Sequence, residues 1–445
     1  MINEEIFRSY DIRGTYPDQV NEEAALKIGQ AFAQFIGSDI VIGRDMRLSS
    51  PGLAESFAQG VIKAGYNVFD IGMCTTPMLN FAVAHKKFKG GAIITASHNP
   101  SNFNGIKLIG ERAVQFNKDR GIKEIKELVL ADKLIESDKL GEKKELNILE
   151  DYTKWAVEKI KDLDRLKVVL DYGNGVGAIS AKPILTHFNL DVIELYAEPD
   201  GTYPNHLANP AEEENLEDLK KSVLENKADV GIAFDGDADR AIFIDENGKT
   251  LNNGFLLAAI ASHELKKAPN QKVYYDLRFS KGVIEAIKKA GGIPEKTKVG
   301  NPFYKQKLIL DGGLMAAEYS GHFMYQENYG LDDGLFSALK VLYWLSQTKE
   351  KLSDFVNQFS QGYYLTGEVN LEVKDSSAIV KLLEETYGDG KVDKTDGVTI
   401  EYSDWWFNLR SSNTEPVVRL NIEANSQTLL DEKKKEILDL IEANN

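Results

Sequence analysis

The chain has 445 residues, which at ~150 residues per domain means roughly three domains or more, so one hydrophobic core is not expected. Hydrophobic residues at 42 % and charged residues at 27 % exclude a disordered, collagen-like or coiled-coil chain. Acidic residues outnumber basic ones by 69 to 53, and a net charge of −16 argues against nucleic-acid binding, which needs a basic face to replace phosphate counterions. Any anionic ligand must therefore meet a local cluster of cations. The single cysteine, Cys74, has no internal partner. The opening MINEEIFRSY has neither an apolar core nor a basic leader, so a reducing, cytoplasmic setting is expected. The longest apolar runs, such as FLLAAIA at 255–261, fall far short of the ~20 residues that cross a bilayer, and no membrane span is predicted.

Taken in chain order, short runs rich in Val and Ile alternate with longer amphipathic stretches up to about residue 345, the pattern of strand–helix units around a parallel sheet. The predicted strands are 39–45, 67–72, 91–96, 166–172, 191–196, 229–235, 240–245 and 272–277. A Lys- and Glu-rich segment at 132–150 lacks apolar periodicity and carries the first domain boundary; a second follows Gly248. From about 362 the order changes to GEVNLEV, a helix near 376–387, GVTIEYS, WWFNLRSS, VVRLNIEA and a last helix, which predicts a smaller α+β domain with antiparallel strands. No fixed-period repeat is present.

Four segments carry chemistry. Asp235, Asp237 and Asp239 stand at every second position of DGDADR, and in an extended chain alternate residues point the same way, so three carboxylates would converge. Clustered anions of this kind call for a hard cation, Mg²⁺ or Ca²⁺. Glu246 stands twelfth from Asp235 as in an EF-hand, but Arg240 replaces the sixth-position glycine and both flanks read as strands. Ser97, in TASHNP, follows a buried strand where α/β sheets place their ligands, and His98 and Lys107 are at hand to activate a hydroxyl or stabilise transferred charge; a plain Asn-Pro turn is the competing reading. Arg410, Ser412, Asn413 and Thr414, with Arg419 nearby, offer a guanidinium fork, hydroxyls and turn N–H groups suited to a phosphate, although a Ser/Asn-rich hairpin looks the same. Glu318, Ser320 and His322 offer groups that read sugar hydroxyls, or simply form a surface loop. Two further segments compete for attention. Residues 173–178, GNGVGA, meet a loose dinucleotide pattern with Glu194 downstream, so an NAD-dependent dehydrogenase is a rival class. Tyr10 to Gly14 can equally be a turn with an arginine ion pair.

Taken together, FRSYDIRG at 7–14, TASHNP at 95–100, DGDADR at 235–240, EYSGH at 318–322 and RSSNTEPVVRLNIEA at 410–424 resemble, in order and along nearly the whole chain, the signatures of the α-D-phosphohexomutase superfamily. The SNTEP form of the last loop is most similar to the phosphomannomutase/phosphoglucomutase group; phosphoglucosamine mutases more often carry glycine before TEP.

The resemblance implies an α/β fold of three similar mixed α/β domains and a smaller α+β C-terminal domain around a central cleft. The expected limits are 1–148 for a phosphoserine domain, 149–249 for a metal-binding domain, 250–361 for a sugar-binding domain and 362–445 for a phosphate-binding domain. It implies interconversion of hexose 1-phosphate and hexose 6-phosphate, of mannose or glucose, through a phosphoserine and a 1,6-bisphosphate that also serves as primer. Phosphosugars would be its partners, and it would be a monomer or weak homodimer. By position, Ser97 resembles the phosphorylated serine, and Asp235, Asp237 and Asp239 resemble Mg²⁺ ligands, with the phosphoserine at Ser97 completing the set. Arg13, Lys107, Tyr10 and Arg240 match groups around the transferred phosphoryl, Glu318 and Ser320 match the pair holding sugar hydroxyls, and His322 matches a nearby histidine. Arg410, Ser412, Asn413 and Thr414 match the loop gripping the non-reacting phosphate. Two positions depart from the pattern: Asn301 stands where histidine is frequent, and Arg278 where some members have lysine. A phosphoglucosamine mutase, a phosphatase with an aspartyl nucleophile at Asp235 or Asp237, and a metal or sugar-phosphate sensor are the other functions considered.

Overall fold

A computed structural model describes residues 2–411 and 417–445. Three sheets follow one plan. In the first, Ile40–Arg44 lies between Val68–Met73 and Gly90–Ile94, parallel to both, and Phe103–Gly110 returns antiparallel beyond Gly90–Ile94. In the second, Lys167–Asp171 has Asp191–Leu195 and Val230–Phe234 as parallel neighbours, and Ala241–Asp245 returns antiparallel. In the third, Lys272–Asp276 is flanked by Ile293–Thr297 and Met315–Ala317, and Phe323–Tyr325 returns antiparallel. Helices such as Ser50–Lys63, Glu217–Asn226 and Lys281–Lys289 make the crossovers that parallel neighbours require. The strands Gly90–Ile94 and Val230–Phe234 are buried along their whole length, which is why they read as unbroken apolar runs.

All eight predicted strands of the first three sheets are present within one or two residues of their expected ends. The expectation of a parallel sheet is corrected: each sheet is mixed, because its fourth strand turns straight back along the third. Phe103–Gly110, Ile293–Thr297, Met315–Ala317 and Phe323–Tyr325 are among the strands not anticipated: FNGIKLIG opens with turn residues, and the last two are only three residues long. The charged segment 132–150 is not wholly linker, because Lys143–Glu145 adds an edge strand to the first sheet through Val68–Met73.

The shared plan places the chemistry. In all three sheets the loop between the third and fourth strands carries a motif: Ser97 after Gly90–Ile94, the three aspartates after Val230–Phe234, and Glu318 to His322 after Met315–Ala317. A second correspondence lies at the carboxyl end of each first strand. Asp45, Asp171 and Asp276 each accept a hydrogen bond at Oδ1 from the backbone N–H two residues on, at 3.0, 2.9 and 2.9 Å. Unequal spacing between these points hides the repetition from a fixed-period search.

An apolar core common to the first three sheets runs through Phe81, Tyr152, Phe234, Phe243 and Phe336, and the first sheet has a second cluster of its own around Ile28, Phe32 and Phe57. The C-terminal sheet is antiparallel throughout its described pairings, with Val417–Ala424 paired to Trp405–Ser411 and to Val369–Glu372, and with helices Ser376–Thr386 and Gln427–Ala443 beside it. Its core is separate, built from Leu383, Phe407, Leu420 and Ile437. A continuous frame and an independently cored fourth unit result. No described helix is long and apolar enough to cross a membrane.

The rival motifs lose their readings here. Residues 172–178 are buried, Val176 N–H donates to Gly236 O at 3.0 Å, and a Cβ on Gly173 would meet Ala208, so no dinucleotide phosphate can approach that turn. Glu194 accepts from the Tyr172 hydroxyl. Glu246 is bound by Ser353, well away from an EF-hand role, and the flanks of DGDADR are strands.

Candidate active site

The aspartates converge, but not because the chain is extended. Residues 235–240 form a tight turn with Ala238 at φ 59°, and that turn brings one oxygen of each carboxylate within 4.8 Å of the others. All three side chains are buried. The Lys107 Nζ bridges two of them, at 2.6 Å from Asp237 Oδ2 and 2.7 Å from Asp239 Oδ2, and the Thr76 hydroxyl also donates to Asp237. Burial opposes ionisation of all three, yet Lys107 holds Asp237 and Asp239 below the usual carboxylate range. Asp235 goes the other way: burial, then the charges of Asp239 and Asp237, push it up to about 7. Asp237 Oδ1 and Asp239 Oδ1 are buried and have no hydrogen-bond partner. Orphaned hard oxygens in a cluster of this size fit a divalent cation such as Mg²⁺.

Ser97 is set against this cluster. It adopts φ 50°, in the left-handed region, and its Oγ donates to Asp235 Oδ2 at 2.7 Å while lying 3.2 Å from His98 Nδ1. Arg240 approaches both Ser97 Oγ, at 3.4 Å, and His98 Nδ1. Burial first, then Arg240 and Arg13, hold His98 well below its ordinary pKa. Arg13 is fixed by Asn99 Oδ1 at 2.6 Å and by Asp11. The serine loop has a further organiser that sequence reasoning missed. Arg47, 1 % exposed, donates to the backbone carbonyls of Ser97, Asn99, Pro100 and Phe103, while Asp45 holds its Nε and Tyr203 lies under its guanidinium.

The two loops touch at Gly236, where a Cβ would lie 2.4 Å from Ser97 O. Only glycine lets the aspartate turn approach the serine this closely. Gly236→Ala is therefore expected to lower turnover about 100-fold, the cost of a displacement near 1 Å in an aligned site, with the melting temperature changed far less; steady-state kinetics beside thermal denaturation checks both.

A cavity of about 1090 Å³ opens above these loops, just above the ~300–1,000 Å³ usual for small-molecule sites. Its walls include Tyr10, Arg13, Ser97, His98, Lys107, Asp239 and Arg240, then Arg278, Asn301, Glu318, Ser320 and His322, and finally Arg410 and Arg419 of the C-terminal sheet. Asp235 and Asp237 lie beneath the wall, in contact with Ser97 and Lys107. Ser412, Asn413 and Thr414 lie outside the described residues. Every other residue singled out for the site reaches one cavity or its floor.

The wall built from Arg278, Glu318 and His322 is electrostatically tight. Arg278 is clamped by Asp276 through Nε at 2.9 Å and Nη2 at 2.6 Å, stands over the Tyr319 ring, and lies 3.9 Å from Glu318. Burial raises the Glu318 pKa despite neighbouring cations. His322 Nδ1 sits 3.0 Å from Asp332 Oδ2, and Lys305 Nζ is 2.6 Å from Asp332 Oδ1. Burial alone would lower the His322 pKa, but Asp239 and Asp332 outweigh it and hold it above the ordinary value. Asn301 opens the helix Asn301–Asp311 and places Nδ2 2.9 Å from His322 Nδ1.

Four family models cover the chain in order: phosphoglucomutase/phosphomannomutase alpha/beta/alpha domains I, II and III over residues 4–136, 148–248 and 253–363, and the phosphoglucomutase/phosphomannomutase C-terminal domain over 368–440. The chain belongs to the phosphoglucomutase/phosphomannomutase family. It is 36 % identical over 444 residues to the phosphohexose mutases of Xanthomonas campestris pv. campestris (strain B100), covering 98 % of each chain. It is 33 % identical over 448 residues to the phosphomannomutase of Escherichia coli K12, again with 98 % of each covered. A crystal structure of a phosphoglucomutase/phosphomannomutase family protein from Burkholderia thailandensis superposes with a TM-score of 0.92 at 31 % identity, covering 100 % of this chain and 98 % of that one. Membership makes the chain a phosphohexomutase-type isomerase, and its three α/β domains with a C-terminal domain are the family's architecture.

Proposed function

We propose that the protein interconverts hexose 1-phosphate and hexose 6-phosphate, of mannose or glucose, through a phosphoserine at Ser97 and a bound 1,6-bisphosphate. The observation that supports this most is a single cavity walled by a serine hydroxyl on a carboxylate cluster at one side and by Arg410 and Arg419 at the other. In the forward half, the free hydroxyl oxygen of the sugar bonds to phosphorus as the Ser97 Oγ–phosphorus bond breaks. Arg13, Lys107 and Arg240 face that transfer and spread the charge on the phosphoryl oxygens. Asp235, Asp237 and Asp239, with Ser97, are the residues to hold Mg²⁺, which when bound neutralises charge on the phosphoryl group.

Glu318 and Ser320 hold sugar hydroxyls, and Arg410, Arg419 and the segment through Ser412, Asn413 and Thr414 hold the remote phosphate. Tyr10, Arg278 and Asn301 complete the sugar wall. Lys107, His98 and His322 all line the cavity and are the groups available for proton transfer at the sugar hydroxyl. The bisphosphate then turns end for end, and Ser97 takes back the other phosphoryl. Such a turn needs room, which the cavity provides, and the C-terminal unit with its own core can move to exclude water.

Parallel assays on mannose, glucose and glucosamine 1-phosphates, with Mg²⁺ and a hexose 1,6-bisphosphate primer, test the reading. Turnover of mannose or glucose 1-phosphate should exceed that of glucosamine 1-phosphate at least about tenfold, because a site that pairs a substrate hydroxyl discriminates against its replacement. Preferred turnover of the amino sugar would reject the substrate assignment, and release of inorganic phosphate without isomerisation would reject the mutase reading altogether.

A further inference from the structure

Glu368 has no part in the chemistry outlined so far, yet it is placed among three arginines. It follows Gly367, whose φ is 70°, on the connection into the C-terminal sheet, immediately before the strand Val369–Glu372. Its Oε2 accepts from Arg278 Nη1 and from Arg410 Nη2, each at 2.9 Å, and its Oε1 lies 3.4 Å from Arg419 Nη1. Its side chain is 16 % exposed and lines the cavity. Arg278 already has Asp276 as a two-point partner. Arg410 is 7 % exposed and lines the cavity wall, where its Nη2 is bound to Glu368.

A carboxylate in this position does two things. It supplies the anion that lets buried guanidiniums lie side by side, and it occupies N–H groups that a phosphate would otherwise take. We propose that Glu368 is a resident counter-anion of the phosphate subsite: it shares Arg410 and Arg419 with the incoming phosphate, weakens the grip on it, and ties the subsite through Arg278 to the sugar wall. This rests on the reading that Arg410 and Arg419 hold the non-reacting phosphate. A ligand that must leave the subsite, reverse and re-enter is served by a grip of moderate strength, since full-strength charge pairing by two arginines would slow its escape. Glu368 is thus a positioning residue, acting through the arginines it binds.

The test is calorimetric titration of glucose 6-phosphate into the full chain carrying Ser97→Ala, alone and combined with Glu368→Gln, Glu368→Asp or Arg410→Ala, at fixed ionic strength. Removing a carboxylate charge a few ångströms from a phosphate dianion should tighten binding by about tenfold, so Glu368→Gln is expected to bind more tightly. Glu368→Asp, which keeps the charge, should stay within about threefold of the parent, and Arg410→Ala should bind at least about tenfold more weakly. In the active enzyme Glu368→Gln should lower KM and kcat together, a pattern that simple loss of stability does not produce. Glu368→Ala has the same expected sign and replaces the glutamine variant should that fail to fold. Unchanged or weaker binding by the neutral Glu368 variants, with Arg410→Ala still weakened, would overturn the role of Glu368 while leaving the phosphate subsite intact. Unchanged binding in Arg410→Ala would overturn the subsite itself.

Discussion

Ser97→Ala is expected to abolish turnover, with kcat reduced by about 10⁴-fold or more, because the nucleophile of a unit that acts together cannot be replaced in part. Affinity for the hexose phosphate should remain, since the arginines and the sugar wall are untouched. The fold should remain as well. Ser97 already pays the cost of left-handed backbone, and alanine meets that cost at about the same 1–2 kcal/mol, while the Arg47 bonds go to backbone carbonyls that alanine keeps. Steady-state kinetics and calorimetric binding on the same preparation check the separation. Residual activity within tenfold of the parent would mean that the hydroxyl 2.7 Å from Asp235 is only a structural hydrogen bond.

Arg410→Ala should act in the opposite way. Arg410 stands in the strand Trp405–Ser411 with its guanidinium at the cavity wall, far along the chain from the reacting serine. Losing a charge-assisted contact to a phosphate costs about 2–4 kcal/mol, so KM should rise by about 30- to 1,000-fold with a smaller change in kcat. Arg410→Lys should recover only part of the loss, because a point charge cannot reproduce a planar fork shared between Glu368 and a phosphate. A variant with normal KM and depressed kcat would place Arg410 with the transfer chemistry instead of the remote clamp.

Much of this architecture was legible in the sequence because strands buried on both faces are written as unbroken Val- and Ile-rich runs, and the polar segments between them stand out. That contrast located Ser97 and the aspartates, whereas Glu318 was reached only through the resemblance of EYSGH, because the short strand Met315–Ala317 before it has no comparable apolar run. What the runs do not encode is that these three segments occupy the same place in three copies of one sheet plan. The convergence of the aspartates was anticipated for the wrong reason, since alternation in a strand and a tight turn both gather every second residue on one side.

The supporting residues were invisible for a different reason. Arg47 acts on carbonyls about fifty positions away, Asp332 orients His322 while Lys305 holds its other oxygen, and Glu368 joins Arg278 to Arg410 across the boundary between two cores. None belongs to a motif, and each has meaning only once distant segments are in contact. One signal was available: Asp45-x-Arg47 and Asp276-x-Arg278 both stand at the ends of predicted strands, and a buried arginine two residues after such an aspartate marks a chelated pair.

The most direct test loads the purified protein with glucose 1,6-bisphosphate, maps the phosphorylated peptide by mass spectrometry, and then adds mannose or glucose 1-phosphate. Phosphoryl on Ser97 that leaves with the sugar, yielding bisphosphate and then the 6-phosphate, is the predicted result. Label on Asp235 or Asp237, or loss of the phosphoryl to water with no isomer formed, would contradict it.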